Sequence, residues 1–149
     1  MELKKILCAV DLEDAIAPSV EYTKMMVAMS GASVLVADVI PAHTPYEDVY
    51  LSINNLPNEV SNPNETIQKA MNAFLAEKFA GMDVTGVILV GRPSEELVKL
   101  AEEKGADLIV MGTHGRAGFD RLLFGSVANE VVKAAPCPVM TIRPERRKD

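Results

Sequence analysis

The sequence has no tryptophan, three tyrosines and four phenylalanines, so any core it builds is aliphatic, made of Val, Leu, Ile, Ala and Met. It has two cysteines, Cys8 and Cys137. Neither has a Cys or His partner at ligand spacing, which excludes a zinc site. Both lie in strand-like runs and are expected to be buried thiols acting as small hydrophobes. Positive charge is scarce: 15 Lys and Arg face 21 Asp and Glu, for a net charge of −6. A nucleic-acid or anionic-membrane binder carries a basic face, so neither nucleic acid nor membrane is expected as a partner. The local exception, Arg143-Pro144-Glu145-Arg146-Arg147-Lys148, reads as a solvated tail. All apolar runs fall short of the roughly 18 residues that span a bilayer. Met1 to Lys5 leads directly into a strand-like run without a signal-peptide core. The expected location is therefore cytoplasmic.

What is present suffices for one domain. The 149 residues are 48% apolar, and a chain of this size buries about 70% of its unfolded surface without a disulfide or metal. A single domain over residues 1–149 is expected. Strand-like runs alternate with helix-period segments from end to end. Strands are expected at Lys5–Val10, Ser33–Ile40, Val84–Val90, Asp107–Met111 and Pro138–Ile142. The first helix begins between Asp14, suited as an N-cap, and Pro18; it ends at Gly31 and buries Val20, Thr23 and Val27. The second starts near Asn62-Pro63-Asn64-Glu65, buries Ile67, Met71, Phe74, Leu75 and Phe79, and ends at Gly81. The third opens at Pro93, carries Leu97, Leu100 and Ala101, and closes at Gly105; the last spans Ser126–Ala135 before Pro136. The stretch from Pro41 to Asn64, with Tyr46 and Tyr50, breaks the rhythm and has the length of a lid or partner surface.

Short continuous apolar strands joined by helices define an α/β fold: a five-stranded parallel sheet in the order 3-2-1-4-5, helices on both faces, right-handed crossovers. Ligands of such sheets bind outside the carboxyl ends of the strands, where the strand order switches. The segments after Val10, Ile40 and Met111 therefore carry the functional interest.

The last of these runs from Gly112 through His114, Gly115, Arg116 and an apolar Leu122-Leu123-Phe124 plug to Gly125-Ser126, where a helix starts. Glycine lets backbone amides approach an anion closely, and the free N–H groups and positive dipole end of the helix suit phosphate. The Ser126 hydroxyl could cap the helix or donate to a phosphate oxygen, and the planar fork of Arg116 fits phosphate. No Gly-Lys-Ser/Thr occurs anywhere in the chain, so this is not a Walker A loop, nor is it the Gly-x-Gly-x-x-Gly dinucleotide fingerprint. His114 and His43 read as ordinary loop residues, Asp38 as a strand-end acid that caps or is solvated, with a ribose hydroxyl as the alternative ligand, and Met25, Met26 and Met29 as core residues or a chance cluster, with an adaptable partner surface as the alternative.

The spacing Gly112-x2-Gly115-x9-Gly125-Ser126 matches the ATP-loop pattern of the universal stress protein family. Asp107-Leu-Ile-Val-Met-Gly-Thr-His-Gly-Arg116, Leu123-Phe-Gly-Ser-Val-Ala128, Cys137-Pro-Val-Met-Thr-Ile142, Gly91-Arg-Pro93 and Ile6-Leu-Cys-Ala-Val-Asp11 resemble that family's words too, so the similarity covers essentially the whole chain. The resemblance implies an adenine-nucleotide alpha-hydrolase-like fold that binds ATP. Asp11 would lie against the adenosine and Val39 would face adenine. Met111 would flank the pocket. Gly112, Gly115, Gly125, Ser126 and Val127 would surround the phosphates, with Arg116 as the nearby cation. One departure stands out: Leu12-Glu13-Asp14 follows Asp11 where the family has a small pair. Those carboxylates could oppose a polyanion or hold Mg²⁺.

The expected function is a nucleotide-dependent regulatory stress protein. It would act as a homodimer through the apolar edge Val139–Ile142, with a further protein partner that the sequence does not name. The alternatives are a slow ATPase or phosphotransferase, using His114 with Glu13 and Asp14, and a dimeric scaffold or chaperone-like protein independent of nucleotide. The missing P-loop lysine speaks against an efficient enzyme.

Overall fold

The computed structural model describes residues 2–12, 17–42, 63–113 and 125–143. Its elements run β1 (Lys5–Ala9), α1 (Pro18–Ser30), β2 (Ser33–Pro41), α2 (Pro63–Lys78), β3 (Val84–Gly91), α3 (Pro93–Lys104), β4 (Leu108–Gly112), α4 (Ser126–Ala134) and β5 (Val139–Ile142). Each differs from its expected bounds by a residue or two, apart from the second helix, which stops at Lys78 before the turn that holds Gly81.

Local chemistry explains the helix ends. Pro18 and Pro93 open α1 and α3, where the missing N–H had no intrahelical partner. Gly31 and Gly105 close them at φ 73° and 65°, a left-handed conformation that a Cβ disfavours. The N-cap of α1 is Ala17, not Asp14, which lies outside the described residues.

The strands form one parallel sheet in the order β3-β2-β1-β4-β5. The period-two alternation of a strand sends successive side chains to opposite faces. On one face Leu7, Ala37, Val39, Ile109 and Met111 pack against Leu97, Leu100 and Ala101 of α3 and Ala128 and Val131 of α4. On the other, Cys8, Val34 and Val36 meet Val20 of α1 and Met71 and Phe79 around α2. Ile6, Leu108, Val110 and Ile142 meet Ala32 on that same side. The central strands are buried from both faces, as their continuous apolar runs require.

Some side chains fall elsewhere than expected. Cys8 is fully buried, but Cys137 is only half-buried and precedes β5 instead of sitting in it. Of the three methionines on α1, Met26 packs on the core, whereas Met25 and Met29 are 49% and 77% exposed. Among the described residues, no helix is long and apolar enough to cross a membrane.

Candidate functional site

The register brings three strand ends together. Ala9 of β1 pairs with Ala37 of β2, and Cys8 pairs with Val110 of β4, so the chain leaves β1 beside Met111. Both flanking crossovers depart from this point, β1 toward β2 on one side and β4 toward β5 on the other, which makes it the switch point outside which sheets of this kind bind ligands. Val39 and Met111, 8% and 5% exposed, lie on the same face in one apolar cluster with Ala128, and half-buried Ala9 and Val127 pack against it. This apolar cluster runs from β2 across β1 and β4 to α4, with α3 packed on it.

The polar groups at this edge are held by backbone bonds. Beyond β1, the Val10 N–H donates to the Ala37 carbonyl at 2.9 Å. The Leu12 N–H donates to Asp38 Oδ2 at 3.3 Å. Asp38 is 2% exposed, so this carboxylate secures the turn that follows β1, and half-buried Asp11 stands within that turn. Asp38 and Val39 point to opposite sheet faces, which separates the acid from that apolar cluster.

On the other side, Thr113 is the pin. Its N–H donates to the Ile142 carbonyl at 3.0 Å and its carbonyl accepts the Gly125 N–H at 2.8 Å. The end of β4 is thereby fastened to the start of α4. Gly125 is the N-cap of α4, with φ −60° and ψ 152°, a conformation open to any residue. What glycine contributes there is the absence of a side chain, not a special backbone angle. Ser126 is exposed and is the first helical residue, so its hydroxyl is not the N-cap; of its two expected roles, capping is removed. The first turn of α4 has no acidic residue and no capping side chain. Its leading N–H groups have no intrahelical acceptor, and its dipole end is positive.

A comparison with protein families matches residues 2–143 to the universal stress protein family. The chain belongs to the universal stress protein family. It is 38% identical over 90 residues to universal stress protein MJ0577 of Methanocaldococcus jannaschii, covering 60% of this chain and 52% of that protein, so the match spans about half of that relative's length. A universal stress protein of Thermus aquaticus is 32% identical over 94% of this chain and 98% of its own. The solved structure of MJ0577 superposes with a TM-score of 0.70 at 29% identity, covering 98% of this chain and 99% of that one. The universal stress protein from Archaeoglobus fulgidus in complex with dAMP gives a TM-score of 0.61 at 25% identity, covering 96% and 100%.

In this universal stress protein the fold gathers Asp11, Val39, Met111, Gly112, Gly125, Ser126 and Val127 at the carboxyl end of the sheet. Gly115, Arg116 and His114 lie outside the described residues, as do Glu13, Asp14, His43, Tyr46, Tyr50 and the Leu122-Leu123-Phe124 plug. Among the described residues no group of three His, Cys, Asp or Glu is placed to hold a metal ion. Thr113 was not singled out in the sequence; of the readings for Asp38, the structure keeps the capping one, since its carboxylate accepts the Leu12 N–H, and removes the solvated one. The signal for Asp38 was its place inside a strand buried on both faces, where a carboxylate must find a partner. A polar cluster between α3 and α4 was not singled out either. There the Ser94 hydroxyl donates to Glu130 Oε2, and Arg92 Nη2 donates to Glu130 Oε1 at 2.9 Å. The Ser94 hydroxyl, with Arg92 behind it, holds the Glu130 carboxyl below the usual carboxylate range.

Proposed function

We propose that this universal stress protein binds ATP, or a related adenine nucleotide, at the carboxyl ends of β1 and β4. It would act as a regulatory homodimer in the cytoplasm, with the nucleotide as a signal and not a fuel. The observation that carries the reading is the start of α4: an uncapped helix end without acidic residues, fastened through Thr113 to β4. Backbone N–H groups at such an end receive phosphate oxygens without any lysine. Beside it, β2 and β4 bring the strand ends at Val39 and Met111, whose side chains are nearly buried in the core, to where a purine would lie, and Asp11 stands at the end of β1 where a ribose would lie. The related protein solved with dAMP supports an adenine nucleotide as the ligand class. A bound triphosphate would supply charge for these amides to recognise, with Mg²⁺ as its companion ion. Gly115 and Arg116 would complete the phosphate shell.

The homodimer draws on β5, which stands at the edge of the sheet and leaves Val139, Met140 and Thr141 half-buried. An uncovered edge of this kind accepts a strand from its copy.

The test is nucleotide retention with calorimetry. The protein purified without added nucleotide is expected to carry intact ATP, and the stripped protein to rebind it. Replacing Gly115 with a bulky residue should abolish that binding while leaving the circular dichroism spectrum unchanged. Bound ADP with continuous turnover would favour the slow ATPase. Neither nucleotide nor affinity would favour the scaffold.

A further inference from the structure

We propose that Glu130, gripped by Ser94 and Arg92, is a positioning residue that fixes the first turn of α4 against α3 and so sets the amides offered to phosphate. This rests on the nucleotide reading above. Among the described residues, little else holds that turn. Helix α4 has nine residues, too few to be stable alone, so tertiary anchors decide where it lies. Ala128 and Val131 bury its apolar side, but apolar contact is non-directional and tolerates small rotations and slides. Directional bonds come from the Thr113 carbonyl at the very start and from Glu130 one turn later. Glu130 is four residues after Ser126, hence on the same side of the helix.

The partners of Glu130 are themselves fixed. Ser94 is 4% exposed and lies at the second position of α3, where its hydroxyl reaches across to Glu130. Arg92 is the N-cap of α3 and makes no side-chain cap bond; its guanidinium spans Glu130 Oε1 and Glu95 Oε1, the latter at 3.3 Å. Gly91 shapes the turn that delivers Arg92. Its φ of 154° is a strained one for an L side chain, and a Cβ there would lie 2.8 Å from Glu96 Cγ. A carboxylate from α4 therefore occupies the positive end of α3, which has no capping side chain of its own. The charge-assisted bonds are directional as well as strong.

A surface ion pair of no consequence is the opposing account, since exposed pairs contribute little to stability. The experiment separates the two by asking about position. Ser94→Ala and Glu130→Gln are compared with the parent chain by amide NMR without nucleotide, and by calorimetry with ATP and with adenosine. Ser94→Ala is expected to shift the amide resonances of Ser126 to Ala128 and speed hydrogen exchange from Asn129 to Val131, while β2 amides stay put. ATP affinity should fall by about 2- to 30-fold, the range of couplings carried through packed elements, with adenosine affinity unchanged. Glu130→Gln, which keeps an acceptor for Ser94, should give a smaller effect of the same kind. Unmoved Ser126–Ala128 amides in both variants would overturn the proposal, as would equal losses for ATP and adenosine. If the parent chain binds no ATP, the nucleotide reading fails and the amide measurement alone decides the clamp.

Discussion

Placing a carboxylate at the start of α4 should strengthen the fold and weaken the ligand, an opposition that follows from the geometry. Ser126 is exposed and is the first residue of the helix, so Ser126→Asp requires no repacking. An acid in the first turn interacts favourably with the helix dipole, by about 0.3–1 kcal/mol, and α4 has none there at present. The same charge would stand about 4 Å from a phosphate seated on the leading amides, where one like-charge pair costs about 1 kcal/mol in water and about 4 kcal/mol at an effective dielectric constant near 20. ATP affinity should then fall between about 5-fold and about 1,000-fold, while the midpoint of thermal unfolding without ligand holds or rises. Adenosine carries no phosphate and should bind both proteins alike. The assays are calorimetric titration with ATP and adenosine, and thermal unfolding of the free protein. ATP affinity within twofold of the parent would refute the placement of phosphate at α4. A parallel loss of stability would refute the assumption that Ser126 has no structural duty.

Three further outcomes follow. Burial raises the Cys8 thiol from 9.0 to about 11, with the Thr23 and Ser19 hydroxyls pulling the other way. A raised thiol keeps its proton in the folded chain, so its contribution is intact below pH 9 and is lost as pH rises toward about 11. The loss is about 3 kcal/mol at most; in denaturant titrations the stability difference between the parent and Cys8→Ala should be constant below pH 9, where only the packing loss counts, and should change across that window as the parent alone loses stability. At Gly86 on β3, a Cβ would sit 2.5 Å from Met71 Cγ and 2.9 Å from Leu75 Cδ1. Met71 is fully buried and has no room to yield, so Gly86→Ala should cost about 1–2 kcal/mol in urea unfolding despite the backbone entropy it saves. Light scattering at micromolar concentration should give the mass of a dimer, and Thr141→Pro on the edge strand should shift it toward monomer; a monomeric parent chain ends that idea.

The sequence by itself determined the alternation of strand and helix, and with it a parallel sheet, and the place where α4 begins. These are local or nearly local consequences: aliphatic runs such as Val34–Ile40 have no polar face to show to water, prolines start helices and Gly31 and Gly105 stop them. The glycine spacing from Gly112 to Ser126 was legible for the same reason, since its residues are close in the chain. Only the tertiary structure decided which polar groups meet. Asp38 and Leu12, Thr113 and Ile142, and Ser94 and Glu130 stand 26, 29 and 36 positions apart. No periodicity relates such pairs; strand register and helix packing bring them together. Tertiary contact also sorted the α1 methionines, sending Met26 inward and leaving Met25 and Met29 in solvent. The stripe Val20, Thr23 and Val27 was legible as the side facing the sheet, but methionines flank it on both sides of the helix, and their sequence spacing does not say which of them the neighbouring strands cover.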